Sequence, residues 1–118
     1  MIYLASPYTG DEEENYYRVM SAINLLRKSK ISAFSPILYW RPLAYLHSLP
    51  KSYEAYRIFD EEMITICDRF CILDLDGWAD SQGIAKEIRW AKLNGKLIEM
   101  LNFKELRKGK VIINFCTM

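Results

Sequence analysis

Histidine occurs once, at position 47, and cysteine three times, at Cys67, Cys71 and Cys116, in a chain of 118 residues. The thiols form neither a CxxC pair nor a cluster with His47. They offer no recognisable zinc site, and a reduced, cytoplasmic protein is the plain reading. Charge of one sign is missing as well: 16 Lys and Arg against 15 Asp and Glu leave a formal charge of +1. That balance gives no bulk attraction for a polyanion or a lipid surface, which argues against nucleic-acid and membrane partners. No apolar run reaches the roughly 20 residues that cross a bilayer. The opening Met1-Ile2-Tyr3-Leu4-Ala5-Ser6-Pro7 has no basic leader and does not read as a signal peptide. Repeats, low-complexity tracts and Gly/Ser linkers are also absent, so a single domain over residues 1–118 is expected.

What is present is an alternation of short apolar runs with amphipathic stretches. Met1 to Ala5 reads as a buried strand punctuated by Ser6-Pro7-Tyr8-Thr9-Gly10. Acidic residues 11–14 favour a helix start, Tyr16, Val19, Ile23 and Leu26 follow at helical spacing, and the basic run 27–30 favours its end. Ile31 to Ser35 is a second strand, stopped by Pro36. Residues 37–50, rich in aromatics and interrupted by Pro42 and Pro50, read as a long, partly irregular excursion. A helix is predicted from about Ser52 to Cys67, with Tyr56, Phe59, Met63 and Ile66 on its apolar face. Arg69 to Leu75 is a third strand, followed by a Gly- and Asp-rich loop to Asp80. Ser81 to Asn94 is a helix, Lys96 to Leu101 a fourth strand, and a polar turn through Gly109 leads to a fifth at Val111 to Phe115. Lys104 to Lys110 reads as a solvated turn. This order predicts an α/β fold, a Rossmann-like (flavodoxin-like) three-layer sandwich around a five-stranded parallel sheet. Ligands of such sheets bind beyond the carboxyl ends of the strands, which directs attention to residues 6–10, 35–41 and 74–87.

The stretch from Leu73 to Ile88 leaves a strand, turns and enters a helix. Ser81 can cap that helix, whose first free amides form an anion site, and Gly83 would let a ligand approach the backbone closely. Glu87 follows Gly83 by one helical turn on the same face. On spacing alone, a surface glutamate on an amphipathic helix accounts for Glu87 equally well. By the same standard Asp60 reads as a solvated acid beside Glu61 and Glu62.

The run Ser81-x-Gly83-x-x-x-Glu87-Ile88-x-Trp90-Ala91-x-x-x-Gly95-Lys96 resembles the signature helix of the nucleoside 2-deoxyribosyltransferase superfamily, which includes deoxynucleoside 5′-monophosphate N-glycosidases. The opening Tyr3-Leu4-Ala5-Ser6-Pro7-Tyr8 resembles that group's first strand and ligand loop. Asp60, eight residues before Asp68, matches the spacing of an active-site acid. The resemblance implies cleavage or transfer at the N-glycosidic bond of a nucleoside or nucleoside 5′-monophosphate. Glu87 would be the nucleophile that forms a glycosyl-enzyme intermediate, and Asp60 the acid that helps protonate the departing base. Ser81 and Gly83 would hold the 5′-group, and Tyr3 and Tyr8, with Ser6 and Pro7, would line the base and sugar pocket. A serine at position 81, where nucleoside-using members carry an acid, leans toward a phosphorylated substrate. Thr9 stands where phosphate-using members often carry Arg. The resemblance implies no metal or organic cofactor and a homodimer or larger homo-oligomer in which a neighbouring subunit completes each site.

Other readings of the same residues are open. Ile72-Leu73-Asp74-Leu75-Asp76-Gly77 is similar to the first motif of haloacid-dehalogenase-type phosphatases, with Asp74 and Asp76 as the working acids, although Trp78 replaces the Thr or Val expected there. Otherwise Asp74 and Asp76 are loop acids at the strand end that could hold a sugar hydroxyl. Trp78, in the same loop, is the tryptophan best placed for ligand contact, whereas Trp40 and Trp90 read as core or interface residues. A non-catalytic module that binds nucleotide derivatives would use the same helix mouth without requiring Glu87 and Asp60 to converge.

Overall fold

The computed structural model describes residues 1–48 and 53–116. A five-stranded sheet is ordered β2-β1-β3-β4-β5, with strands β1 (Ile2–Ala5), β2 (Ala33–Phe34), β3 (Arg69–Leu73), β4 (Ile98–Leu101) and β5 (Ile113–Phe115). β1 pairs in parallel with β2 and β3, and β3 in parallel with β4. The last pair departs from the all-parallel expectation: β5 runs antiparallel to β4, with Leu101 opposite Ile113. A parallel return needs a crossover of about a dozen residues or more. The connection 102–112 holds only the short helix α5 (Phe103–Arg107), so the chain folds straight back. α5 also replaces the solvated turn expected there, because Phe103 and Leu106 are buried.

The buried strands feed two apolar layers. Ile2, Leu4, Cys71, Leu73 and Leu101 pack with helix α1 (Glu12–Lys28) and α5 on one face. Tyr3, Ala5, Phe70, Ile72 and Ile98 pack on the other face with α3 (Tyr53–Ile66) and α4 (Gln82–Leu93). Helix α1 carries Glu12, Glu13 and Glu14 in its first turn and Arg27 and Lys28 in its last, which opposes the macrodipole at both ends.

The segment read as irregular is in fact helix α2 (Pro36–His47). Ser35 caps it, its side chain accepting from the Leu38 amide at 3.3 Å, and Pro36 occupies the first turn, where a missing N–H costs nothing. Pro42 lies inside the helix, a substitution pattern that costs roughly 3 kcal/mol. Aromatic contacts to β2 and α3 offset that cost. Tyr39 stacks on Phe59 at 4.7 Å, and Trp40 meets Tyr56 at 4.6 Å and Phe59 at 5.4 Å. Such pairs contribute about 0.5–1.5 kcal/mol each beyond area burial.

Helix α3 also differs in detail. Its inward positions run 56–60–64 and 59–63–67, with Ile64 and Cys67 buried, and Ile66 is 69% exposed instead of inward. An apolar stripe at i, i+4 spacing therefore contains Asp60. Ser52, where the sequence places the start of this helix, and Pro50, where it ends the preceding excursion, lie outside the described residues. Among the described residues, no helix is long and apolar enough to cross a membrane.

Candidate functional site

The segments that follow the carboxyl ends of β1 and β2 border a cavity of about 380 Å³. Its walls come from the β1–α1 loop (Ser6, Tyr8, Thr9), the first turns of α4 (Ser81 to Ile84, Lys86, Glu87), and helices α2 and α3 (Pro36, Ile37, Trp40, Arg41, Ala44, Tyr45, Tyr56, Asp60). Six predicted site residues meet there: Ser6, Tyr8, Asp60, Ser81, Gly83 and Glu87.

Glu87 is only 6% exposed, because α4 turns Ile84, Glu87, Ile88 and Ala91 toward the sheet. The surface-glutamate reading is therefore overturned. Burial pushes its carboxyl up from 4.5 to about 8; the hydrogen bond from the Tyr3 hydroxyl works against this, and the charge of Asp60 adds to it. Tyr3 is fully buried on the sheet, stacked on Phe70 at 5.6 Å. It does not line the cavity; it stands behind Glu87 and donates to it.

Asp60 is 5% exposed, which overturns the solvated-acid reading for that residue. Burial raises its carboxyl to about 6, and the Trp40 indole N–H, donating to Oδ1 at 2.9 Å, moderates the rise. The two carboxyls thus line one cavity, the charge of Asp60 acts on Glu87, and each accepts a hydrogen bond from an aromatic side chain. Asp60 owes its position to the apolar spacing of α3, and Glu87 to that of α4.

The mouth of α4 is built as the sequence predicts. Ser81 caps the helix, its Oγ accepting from the Ile84 amide at 3.2 Å. The preceding turn needs Gly77, whose φ of +89° is left-handed backbone that a side chain rarely adopts. Gly83 is different: a Cβ there would meet nothing closer than Ser81 Oγ at 3.8 Å. Folding does not demand glycine at 83, and its effect is to leave the cavity mouth open.

The remaining predicted residues lie elsewhere. Pro7 is buried but not on the cavity wall. Asp74 and Asp76 are exposed and outside the cavity lining. Trp78 packs half-buried against the α3–α4 core layer, and Trp90 does so while its indole N–H donates to the Glu61 carbonyl at 3.0 Å. Of the three tryptophans, Trp40 lines the cavity, reversing the ranking the loop position gave Trp78. His47 ends α2, exposed. Among the described residues, no three His, Cys, Asp or Glu side chains group as they would around a metal ion.

Sequence reasoning did not single out Arg41, Tyr45 or Tyr56 as site residues, although it directed attention to 35–41, which holds Arg41, and placed Tyr56 on the apolar face of its helix. The Arg41 side chain is 13% exposed, pairs with Glu13, donates to the Glu12 carbonyl at 3.3 Å and lies over the Tyr16 ring at 4.1 Å. Beside it, burial pushes the Tyr8 hydroxyl up to about 12 although the Arg41 charge pulls it down. The available signal was helical spacing: Ile37, Trp40, Arg41 and Ala44 lie on one face once Pro36 is accepted as a first-turn residue.

Fold and site together define an α/β protein with a cavity at the strand ends that buries two coupled carboxyls. Residues 1–100 match the model of the family described as a domain of unknown function, DUF4406, and the chain belongs to that family. No curated protein matches the chain.

Proposed function

We propose that the protein breaks or exchanges the N-glycosidic bond of a nucleoside or nucleoside 5′-monophosphate through a glycosyl-enzyme intermediate on Glu87. The observation that carries this reading is the pair of buried carboxyls in one cavity, Glu87 held by Tyr3 and Asp60 held by Trp40. Polar binding alone does not require two buried acids in one cavity, whereas glycosidic chemistry uses one as nucleophile and one as proton carrier. The 2-1-3-4-5 strand order, which flavodoxin-like folds share, supports the same placement of the ligand at the strand ends.

The proton inventory supports the mechanism. Two carboxyls in one cavity, raised to about 6 and about 8, share one proton near neutral pH. A departing base needs one proton. The shared proton reaches the base nitrogen by way of Asp60, and the Glu87 carboxylate bonds to the anomeric carbon as the C–N bond breaks and that electron pair leaves with the base. Water then gives a proton to the Asp60 carboxylate as its oxygen displaces Glu87 from the anomeric carbon, so that the pair again shares one proton. A second base in place of water gives transfer.

At the other end, the α4 mouth with Ser81 and Gly83 offers free amides, and Arg41 of α2 supplies a positive charge in the same cavity. Both favour an anionic 5′-group, and Arg41 from α2 takes up the role left open by Thr9. A homodimer or larger assembly belongs to the same proposal and is read by analytical ultracentrifugation. The function is tested by incubating the protein with a panel of nucleosides and 5′-monophosphates and separating free base by chromatography. Release is expected from at least one 5′-monophosphate and is lost in Glu87→Gln. Retained binding without release from any member would make the protein a binding module instead.

A further inference from the structure

The α2–α3 wall of the cavity has a feature that the glycosidic mechanism leaves unused. The Tyr56 hydroxyl is buried and has no hydrogen-bond partner in the protein. Tyr56 lines the cavity, its ring lies 4.6 Å from that of Trp40, and Trp40 holds Asp60. A buried hydroxyl without a partner is costly, and native proteins retain few of them. Among the described residues the only other buried side-chain polar atom in this condition is Ser6 Oγ, in a residue 7% exposed. Both residues line the cavity that holds the carboxyl pair.

Resting on the glycosidic reading for the identity of the substrate, we infer that Trp40 and Tyr56 form the base-recognition wall, with the Tyr56 hydroxyl reading the hydrogen-bonding edge of a purine or pyrimidine. The chemistry of the wall fits that ligand. Two aromatic rings, tilted 32° to one another, and Ile37 offer an apolar surface to a planar heterocycle. The free hydroxyl can donate to a ring nitrogen or accept from an exocyclic amine. The indole links this wall to Asp60, so a base resting there has its glycosidic nitrogen close to the group that relays its proton. Ser6 Oγ, from the β1–α1 loop on the same cavity, is left for the sugar end. Substrate polarity follows: base against Trp40 and Tyr56, 5′-group against the α4 mouth and Arg41.

The experiment titrates the wild type, Tyr56→Phe and Trp40→Phe with free adenine, guanine, hypoxanthine, cytosine, uracil and thymine, following tryptophan fluorescence. Benzimidazole serves as a stacking-only control. In the wild type at least one base is expected to bind roughly tenfold more tightly than benzimidazole, the size of one satisfied buried hydrogen bond. Tyr56→Phe should bring that base down to the benzimidazole level, and Trp40→Phe should remove most of the quenching. Tyr56→Phe should also melt no lower than the wild type, since it deletes a hydroxyl with no protein partner. A lower melting temperature, equal discrimination in Tyr56→Phe, or no binding of any base would each overturn the inference. The base-release assay separates the two proposals. Binding discrimination without release sinks the glycosidic reading alone, and release with discrimination unchanged in Tyr56→Phe sinks this one alone.

Discussion

The two walls of the cavity use the same device to different ends. On the α4 wall Glu87 is buried under a sheet tyrosine and its carboxyl is pushed to about 8; on the α3 wall Asp60 is buried under a helical indole and reaches only about 6. Each has one donor, so the donor count does not separate them. The difference is desolvation, which is larger for Glu87, and the charge of Asp60, which adds to the rise at Glu87. The lesson is that burial sets where the single shared proton rests, while the aromatic donors fix where the carboxyls point.

Breaking each wall in turn tests that comparison. The largest effect is expected from Glu87→Gln, which removes the bond-forming oxygen while keeping shape: base release should fall at least about 10³-fold, within the range seen when covalent nucleophiles are deleted. Asp60→Asn should cost about 10²–10⁴-fold, the span of general acid–base contributions, and the pH profile separates the roles. The wild type should show a bell with limbs near 6 and 8, since below the first the pair holds two protons and above the second none. Asp60→Asn should lose the limb near 6.

The same values fix the pH dependence of stability. In the unfolded chain the carboxyls titrate at their ordinary 4.5 and 3.8, so between these values and about 8 and 6 the folded state binds more protons than the unfolded state. Their contribution to stability is whole below pH 4 and is lost as pH rises, through about 6 for Asp60 and through about 8 for Glu87. Thermal melts of Glu87→Gln should lose the decline up to about pH 8, leaving the variant more stable than the wild type at pH 9.

Smaller effects sharpen the comparison at the mouth. Arg41→Ala should raise KM for 5′-monophosphates about tenfold more than for the matching nucleosides, as a charge-assisted contact of about 1.5–3 kcal/mol would. Gly83→Ala should raise the stability of α4 by roughly 0.5–1 kcal/mol, because alanine suits a helix and meets no obstruction, while weakening substrate binding. Calorimetry and initial rates on one preparation read both.

The α4 wall was legible in the sequence because its chemistry is local. The cap, the small residue and the acid one turn on all fall within residues 81–87, and the apolar spacing of Ile84, Ile88 and Ala91 sets their face. The α2 wall was not legible. Pro42 argues against a helix by local preference, and contacts with Phe34 on β2 and with the sequence-distant Tyr56 and Phe59 override it. Arg41 and Trp40 fell in the segment 35–41 that the strand-end rule pointed to, but without the helix they could not be placed on one face. Asp60 was found only through resemblance; its burial follows from the 56–60–64 stripe, which the choice of Ile66 as an inward residue obscured. The direction of β5 turned on the short connection 102–112, whose helix α5 was hidden by its many charges.

The central claim is that Glu87 becomes bonded to the sugar. It is tested most directly by quenching the reaction with a substrate that releases base and mapping the protein by mass spectrometry. The account predicts an adduct of one sugar, or sugar phosphate, on the peptide that contains Glu87, present in the wild type and missing in Glu87→Gln. Base release with no adduct under any quench, or an adduct on another residue, would contradict it.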